Sequence, residues 1–138
     1  MKKFLFFVFL VSPLLSFAAA NPVPSGPVKT YSGPEGEVIA MVEVNASKEM
    51  LVHFKDIGGE IEDKTYLYLI DDKGNGKKDV YFNKKRGSKT VVFAVLVLRN
   101  DQWAFYNPTK PGSTFNIKYS KVDTEKTKIE DILKNYKP

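Results

Sequence analysis

His53 is the one imidazole in the chain, and no cysteine accompanies it. A lone histidine can serve as a general base. A hydrolase also needs a nucleophile beside that base, and neither Gly-x-Ser-x-Gly nor any other recognisable serine setting occurs. The absence of cysteine excludes thiolate nucleophiles, disulfides and thiolate metal ligands together. No His-x-x-x-His pair is present either, so zinc and histidine-dependent hydrolysis both lose their usual ligands. His53 alternates with Met50, Val52 and Phe54, which directs it to solvent or to a second layer as a structural residue.

Residues 71–78 (DDKGNGKK) invite a calcium reading, with Asp71, Asn75, Gly76 and Asp79 at suggestive positions. Lys73 stands where an oxygen ligand is needed, Lys77 and Lys78 add repulsion, and Phe82 replaces the closing glutamate of an EF-hand. The loop reads as a β-turn. Glu43, Glu49, Glu60 and Asp79 are scattered carboxylates with no spacing that marks a glycosidase pair. The expectation is therefore no catalytic residue, no metal and no cofactor.

Binding is the better prospect. Lys77, Lys78, Lys84, Lys85, Arg86 and Lys89 crowd one stretch, but Lys77-Lys78 and residues 84–89 flank a strand. At about 3.3 Å per residue, the two groups stand about 20 Å apart. The second group, with the Gly87-Ser88 backbone, could hold a phosphate or an acidic partner surface. The alternative is a solvated loop that shields the apolar strand after it. Tyr66, Tyr68, Tyr81, Trp103 and Tyr106 could form an aromatic recognition surface, although most fall in core-like alternation. The residues expected to bind are Lys84, Lys85, Arg86, Lys89, Tyr81 and Trp103. Asn45-Ala46-Ser47 is a glycosylation sequon, relevant only in a eukaryotic secretory pathway.

These residues must be positioned by strands. Residues 90–98 (TVVFAVLVL) have no polar face and predict a central strand buried on both sides, with Lys89 and Arg99 as gatekeepers against aggregation. Period-two alternation also marks 37–44, 50–55, 66–70, 80–82, 102–106 and 115–119. The first two are joined by a turn at 45–48 and suggest a hairpin. About seven strands with turn chemistry between them predict a mainly β fold, an antiparallel β-sandwich of Ig-like architecture, with a small barrel as the alternative. The Cys…Trp…Cys pattern of antibody domains is absent. Near the end, Ile129, Ile132, Leu133 and Tyr136 form one helical stripe, predicting a short helix over about 124–137 with a capping box at Thr127 and Glu130. Such a helix must dock to be stable.

The chain has 138 residues, 43% of them apolar, which suits one domain with a real core. Residues 1–20 read as a secretory signal peptide: Lys2-Lys3, an apolar run over 4–17, and Ala18-Ala19-Ala20 for cleavage after Ala20. The run is short of the about 20 residues a spanning helix needs, so no transmembrane segment is expected in the mature chain. Residues 21–36 hold four of the eight prolines and read as a flexible Pro/Gly-rich arm without regular structure. Residues 37–138 then form the single domain.

The formal charge is +5, and removal of Lys2 and Lys3 lowers it by two, too little to predict specific nucleic-acid binding. The functional expectation is an exported, periplasmic or secreted, non-catalytic binding module of a bacterial envelope. Its partner would be a protein or an anionic envelope component. The alternatives are an inhibitor or immunity-type protein that blocks an extracytoplasmic enzyme, and a small cell-wall hydrolase.

Overall fold

The structure, a computed structural model, describes residues 21–138. The expected signal peptide and its cleavage site lie outside the described residues. Eight strands follow in order: β1 (Lys29–Ser32), β2 (Val38–Val44), β3 (Glu49–Lys55), β4 (Thr65–Gly74), β5 (Lys77–Arg86), β6 (Lys89–Arg99), β7 (Gln102–Tyr106) and β8 (Thr114–Tyr119). Two short helices end the chain, α1 (Lys121–Lys126) and α2 (Ile129–Lys134). Each strand pairs antiparallel with the next and β8 pairs with β1, so the sheet closes into a barrel.

The seven-stranded sandwich is thereby corrected to an eight-stranded barrel. The missing strand lies inside the stretch read as an arm without regular structure. Pro27 and Pro34 flank it, but Lys29-Thr30-Tyr31-Ser32 between them is free to extend and pairs with residues 38–41 of β2. Closure rests on Tyr31↔Tyr119 and Ser32↔Lys118. It is reinforced by α1: the Thr124 hydroxyl accepts from Thr30 N–H at 2.8 Å, and the Thr30 hydroxyl donates to Thr127 Oγ1 at 3.1 Å. Two residues upstream of Ser25, Val23 also joins the scaffold, since Asn45 N–H donates to its carbonyl at 2.8 Å.

Alternation divides the strands between the barrel interior and its outer surface. Ile39 and Met41 on β2, Met50, Val52 and Phe54 on β3, Tyr68, Val80, Leu96, Trp103, Phe105 and Ile117 form the interior core. Its rings touch in series: Phe93, Phe82, Tyr68, Tyr66, Phe54, Phe105 and Phe115, with successive centroids between 5.3 and 6.1 Å. The opposite faces of β2 and β3 supply Ala40, Val42, Val44 and Leu51 to a second cluster, completed by Ile132 with Ile129, Leu133 and Tyr136 packed against it. Burying an aliphatic side chain such as Ile132 contributes roughly 1.5–3 kcal/mol, so the helical stripe does dock on the barrel.

The single helix over 124–137 is corrected to two. Ser120 caps α1, its Oγ accepting from Asp123 N–H at 3.2 Å. Thr127 does not cap α2, because its hydroxyl donates to Asp123 O at 2.7 Å. Asp131 instead reaches back to accept from Lys128 N–H at 3.4 Å.

The strand at 90–98 is not buried on both faces. Its pairing with β5 slips between Val80↔Leu96 and Tyr81↔Ala94, leaving Val95 without an opposite residue. This β-bulge changes the phase of alternation. Leu96 and Leu98 point inward on one side of it and Val95 on the other, whereas Val92 lies outside with 61% exposure. A strand with one buried face thus carries apolar residues in both phases.

Candidate functional site

Beyond Tyr81, β5 loses its β4 partner, and before Leu96, β6 has no β7 partner. Residues 82–86 and 89–93 therefore pair only with each other, as a two-stranded ribbon that leaves the barrel. Five residues at about 3.3 Å give a reach of about 16 Å. The bulge at Val95 sets its departure, since bulges bend and twist a strand pair. Gly87, at φ 66°, begins the two-residue tip turn between Arg86 and Lys89, a conformation that favours glycine.

Lys84, Lys85, Arg86 and Lys89 come together on this tip, all exposed. Among the described residues, none of them forms an ion pair with a carboxylate, although Lys73, Lys78, Arg99 and Lys121 do. The Arg86 guanidinium lies 5.4 Å from the Phe93 ring centroid, and Phe93 stacks on Phe82 at 5.3 Å. A cation over an aromatic face is held by the ring quadrupole, so the ribbon presents a positioned charge on an aromatic base. Phe82 and Phe93 were not among the expected binding residues. Their signal was the inward alternation they share with the barrel strands.

Tyr81 and Trp103 do not join the tip. Tyr81 pairs with Leu69 and Ala94 at the base of the ribbon. Trp103, 8% exposed, points into the barrel and pairs with Leu98 and Ile117 towards the opposite end. There, Lys78 Nζ bonds Glu43 Oε2 at 3.1 Å. The two basic groups are thus at opposite ends of β5, as their sequence separation implied. Glu43 continues the inward face of Ile39 and Met41, and a carboxylate in that pattern was a legible sign of something polar inside.

His53 sits between barrel and helices. Its Nδ1 is 3.0 Å from Thr65 Oγ1, and its Nε2 is 3.4 Å from Asp63 Oδ1. The order Thr-His-Asp resembles a nucleophile, base and orienting acid, but the hydrogen bonds run otherwise. Thr65 is 3% exposed and its hydroxyl donates to Ile132 O at 2.8 Å. Its proton is committed to α2, and its oxygen is buried away from any substrate. Burial lowers the His53 pKa, with Asp63 opposing. Asp123, Lys126, Asp131 and Lys134 line the crevice above, which has a volume of about 430 Å³.

In the Asp71 loop, Lys73 Nζ lies 3.0 Å from Asp71 Oδ2 and 3.7 Å from Asp79 Oδ2, and Arg99 takes the other Asp79 oxygen at 2.9 Å. Ammonium and guanidinium groups occupy the carboxylates a calcium ion would need. The Asn45 amide of the sequon is likewise committed: its Oδ1 accepts from Val23 N–H at 3.1 Å and its Nδ2 donates to Glu49 at 2.9 Å. Among the described residues, no helix is long and apolar enough to cross a membrane. No family model matches the chain, and no curated protein or solved structure matches it.

Proposed function

We propose that this chain is an exported, non-catalytic binding module whose β5–β6 ribbon enters an acidic cleft on a partner protein. The observation that carries this reading is the concentration of Lys84, Lys85, Arg86 and Lys89 on a projecting ribbon, without carboxylate partners among the described residues. Unpaired exposed cations steer an approaching anionic surface and set its association rate. A narrow ribbon suits a concave partner better than a flat one. Its apolar flanks, Val91, Val92 and Phe93, can bury area once the tip is seated. An inhibitor of an extracytoplasmic enzyme is one form of the same module, with the enzyme's substrate cleft as the partner surface.

The test uses envelope extract and two baits, wild type and the double variant Lys85→Glu/Arg86→Glu. The expected result is a protein retained by wild type at low salt, lost with the double variant and released by salt, because exposed charges are screened over about 8–10 Å. Equal retention by both baits would remove the ribbon as the interface. Enzyme activity measured on the retained protein, with and without added module, separates inhibition from binding alone.

A further inference from the structure

At the end of the barrel away from the ribbon, the interior is not filled. Lys29, Glu43 and Lys78 take the inward positions there, where an eight-stranded barrel has room either for filling side chains or for one small ligand. Glu43 stands on β2 and Lys78 on β5, with β3 and β4 between them in the sheet. Their ion pair of 3.1 Å therefore crosses the barrel mouth as a bar. Only about a quarter of each side chain is exposed, at 28% for Glu43 and 26% for Lys78.

Behind the bar lies a cavity of about 240 Å³ with Met41, Met50, Leu98 and Trp103 in its wall. That is the volume of about eight waters at about 30 Å³ each, below the usual range for drug-sized ligands. A second hollow, sharing Lys29, Tyr31, Leu98 and Trp103, continues from it towards β8. The strap before β1 closes one side, pinned where Ser25 N–H donates to Glu43 O at 2.8 Å.

The charges select the ligand. Glu43 is answered by Lys78, whereas Lys29 has no carboxylate partner among the described residues. The mouth thus keeps one uncompensated positive charge next to an aromatic and thioether wall. We propose that this cavity binds a small amphipathic carboxylate, with the carboxylate on Lys29 at the rim and the apolar body against Trp103, Leu98 and the methionines. A cationic amphiphile meets Lys29 and Lys78 as like charges, and a neutral one forgoes the charge-assisted contact.

Trp103 is the only tryptophan in the chain, so its emission reports the cavity directly. Octanoate, octylamine and 1-octanol are titrated separately into the exported protein. Octanoate is expected to give a saturable change in Trp103 emission, octylamine none, and octanol a weaker one. Lys29→Glu, at an exposed position, should weaken octanoate binding about tenfold, the effect of losing one charge-assisted contact. Lys85→Glu at the ribbon should leave it unchanged, which keeps this result separate from the ribbon's role. No saturable change with octanoate, equal binding of octylamine, or octanoate binding unaffected by Lys29→Glu would each overturn the proposal.

Discussion

Lys78 and Lys85 stand on one strand and lead opposite lives. Lys78 is drawn inward over the barrel mouth and held by Glu43 at 3.1 Å. Lys85 stands on the ribbon, exposed and without a carboxylate within ion-pair distance among the described residues. The same residue type serves first as part of the scaffold and then as a free surface charge. The difference is set by where β5 has neighbours: up to Tyr81 it has a strand on each side, and beyond Tyr81 it has only β6. Lys78, with only 26% of its side chain exposed, is compensated because desolvation makes an unpaired charge costly. Outside the ladder water does the solvating, and the side chains are free to serve binding.

The contrast can be broken at several depths. The deepest test is Phe54→Ala. Phe54 is fully buried between Tyr66 and Phe105, and its truncation should cost about 3–5 kcal/mol in denaturant unfolding. Phe93→Ala, on the ribbon side of the same aromatic series, should cost clearly less because Phe93 is only half-buried. Equal losses would mean that the ribbon is part of the barrel core. Next is Lys78→Met, which leaves the Glu43 carboxylate facing the cavity alone and should cost about 1–3 kcal/mol. A neutral result by thermal melting would make the bar an ordinary surface pair.

A smaller effect belongs to His53. Burial lowers its pKa from the ordinary 6.5, so the unfolded chain binds that proton more readily than the folded one. Stability from this group is complete above pH 6.5 and is lost as pH falls from 6.5 through the folded value. Asp63 and Glu62 work against the shift and Lys55 with it. Glu62 adds its own loss at more acid pH, because N–H groups of Gly58, Asp56 and Ile57 hold its carboxyl below the usual range. His53→Gln should flatten the pH dependence of the melting temperature near 6.5 and leave the acid limb in place; an unchanged profile would contradict the assignment. The smallest expected effect is Lys85→Glu/Arg86→Glu on folding, within about 0.5 kcal/mol. A large loss of stability there would show that the tip serves the scaffold as well.

Much of the barrel was legible in the residues. The β2–β3 hairpin, the short strands β7 and β8 and the apolar stripe of Ile129, Ile132 and Leu133 all follow from alternation and spacing. Closure was not, because it depends on four residues between prolines, too short a run to carry a periodic signal. The bulge at Val95 hid a second fact. By changing phase within one strand it gave β6 apolar residues in both registers, which reads as burial on two faces. Of the expected binding residues, the four cations do share the ribbon tip, because they are near neighbours across a two-residue turn. Tyr81 and Trp103 fall elsewhere, since residue type alone says nothing about which end of a closed sheet a side chain reaches.

The seam between β1 and β8 has a consequence for how the protein is made. Thr30 bonds to Thr124, 94 residues away, and the strands beside them share two residue pairs. Loop-closure entropy must be met before such a contact forms. β1 therefore waits for β8 and α1 before the sheet can close. Until then β1 and β8 are open edges, and the sheet between them lacks its closing pair. If the chain is exported as proposed, closure of this seam waits until its C-terminal segment has crossed as well.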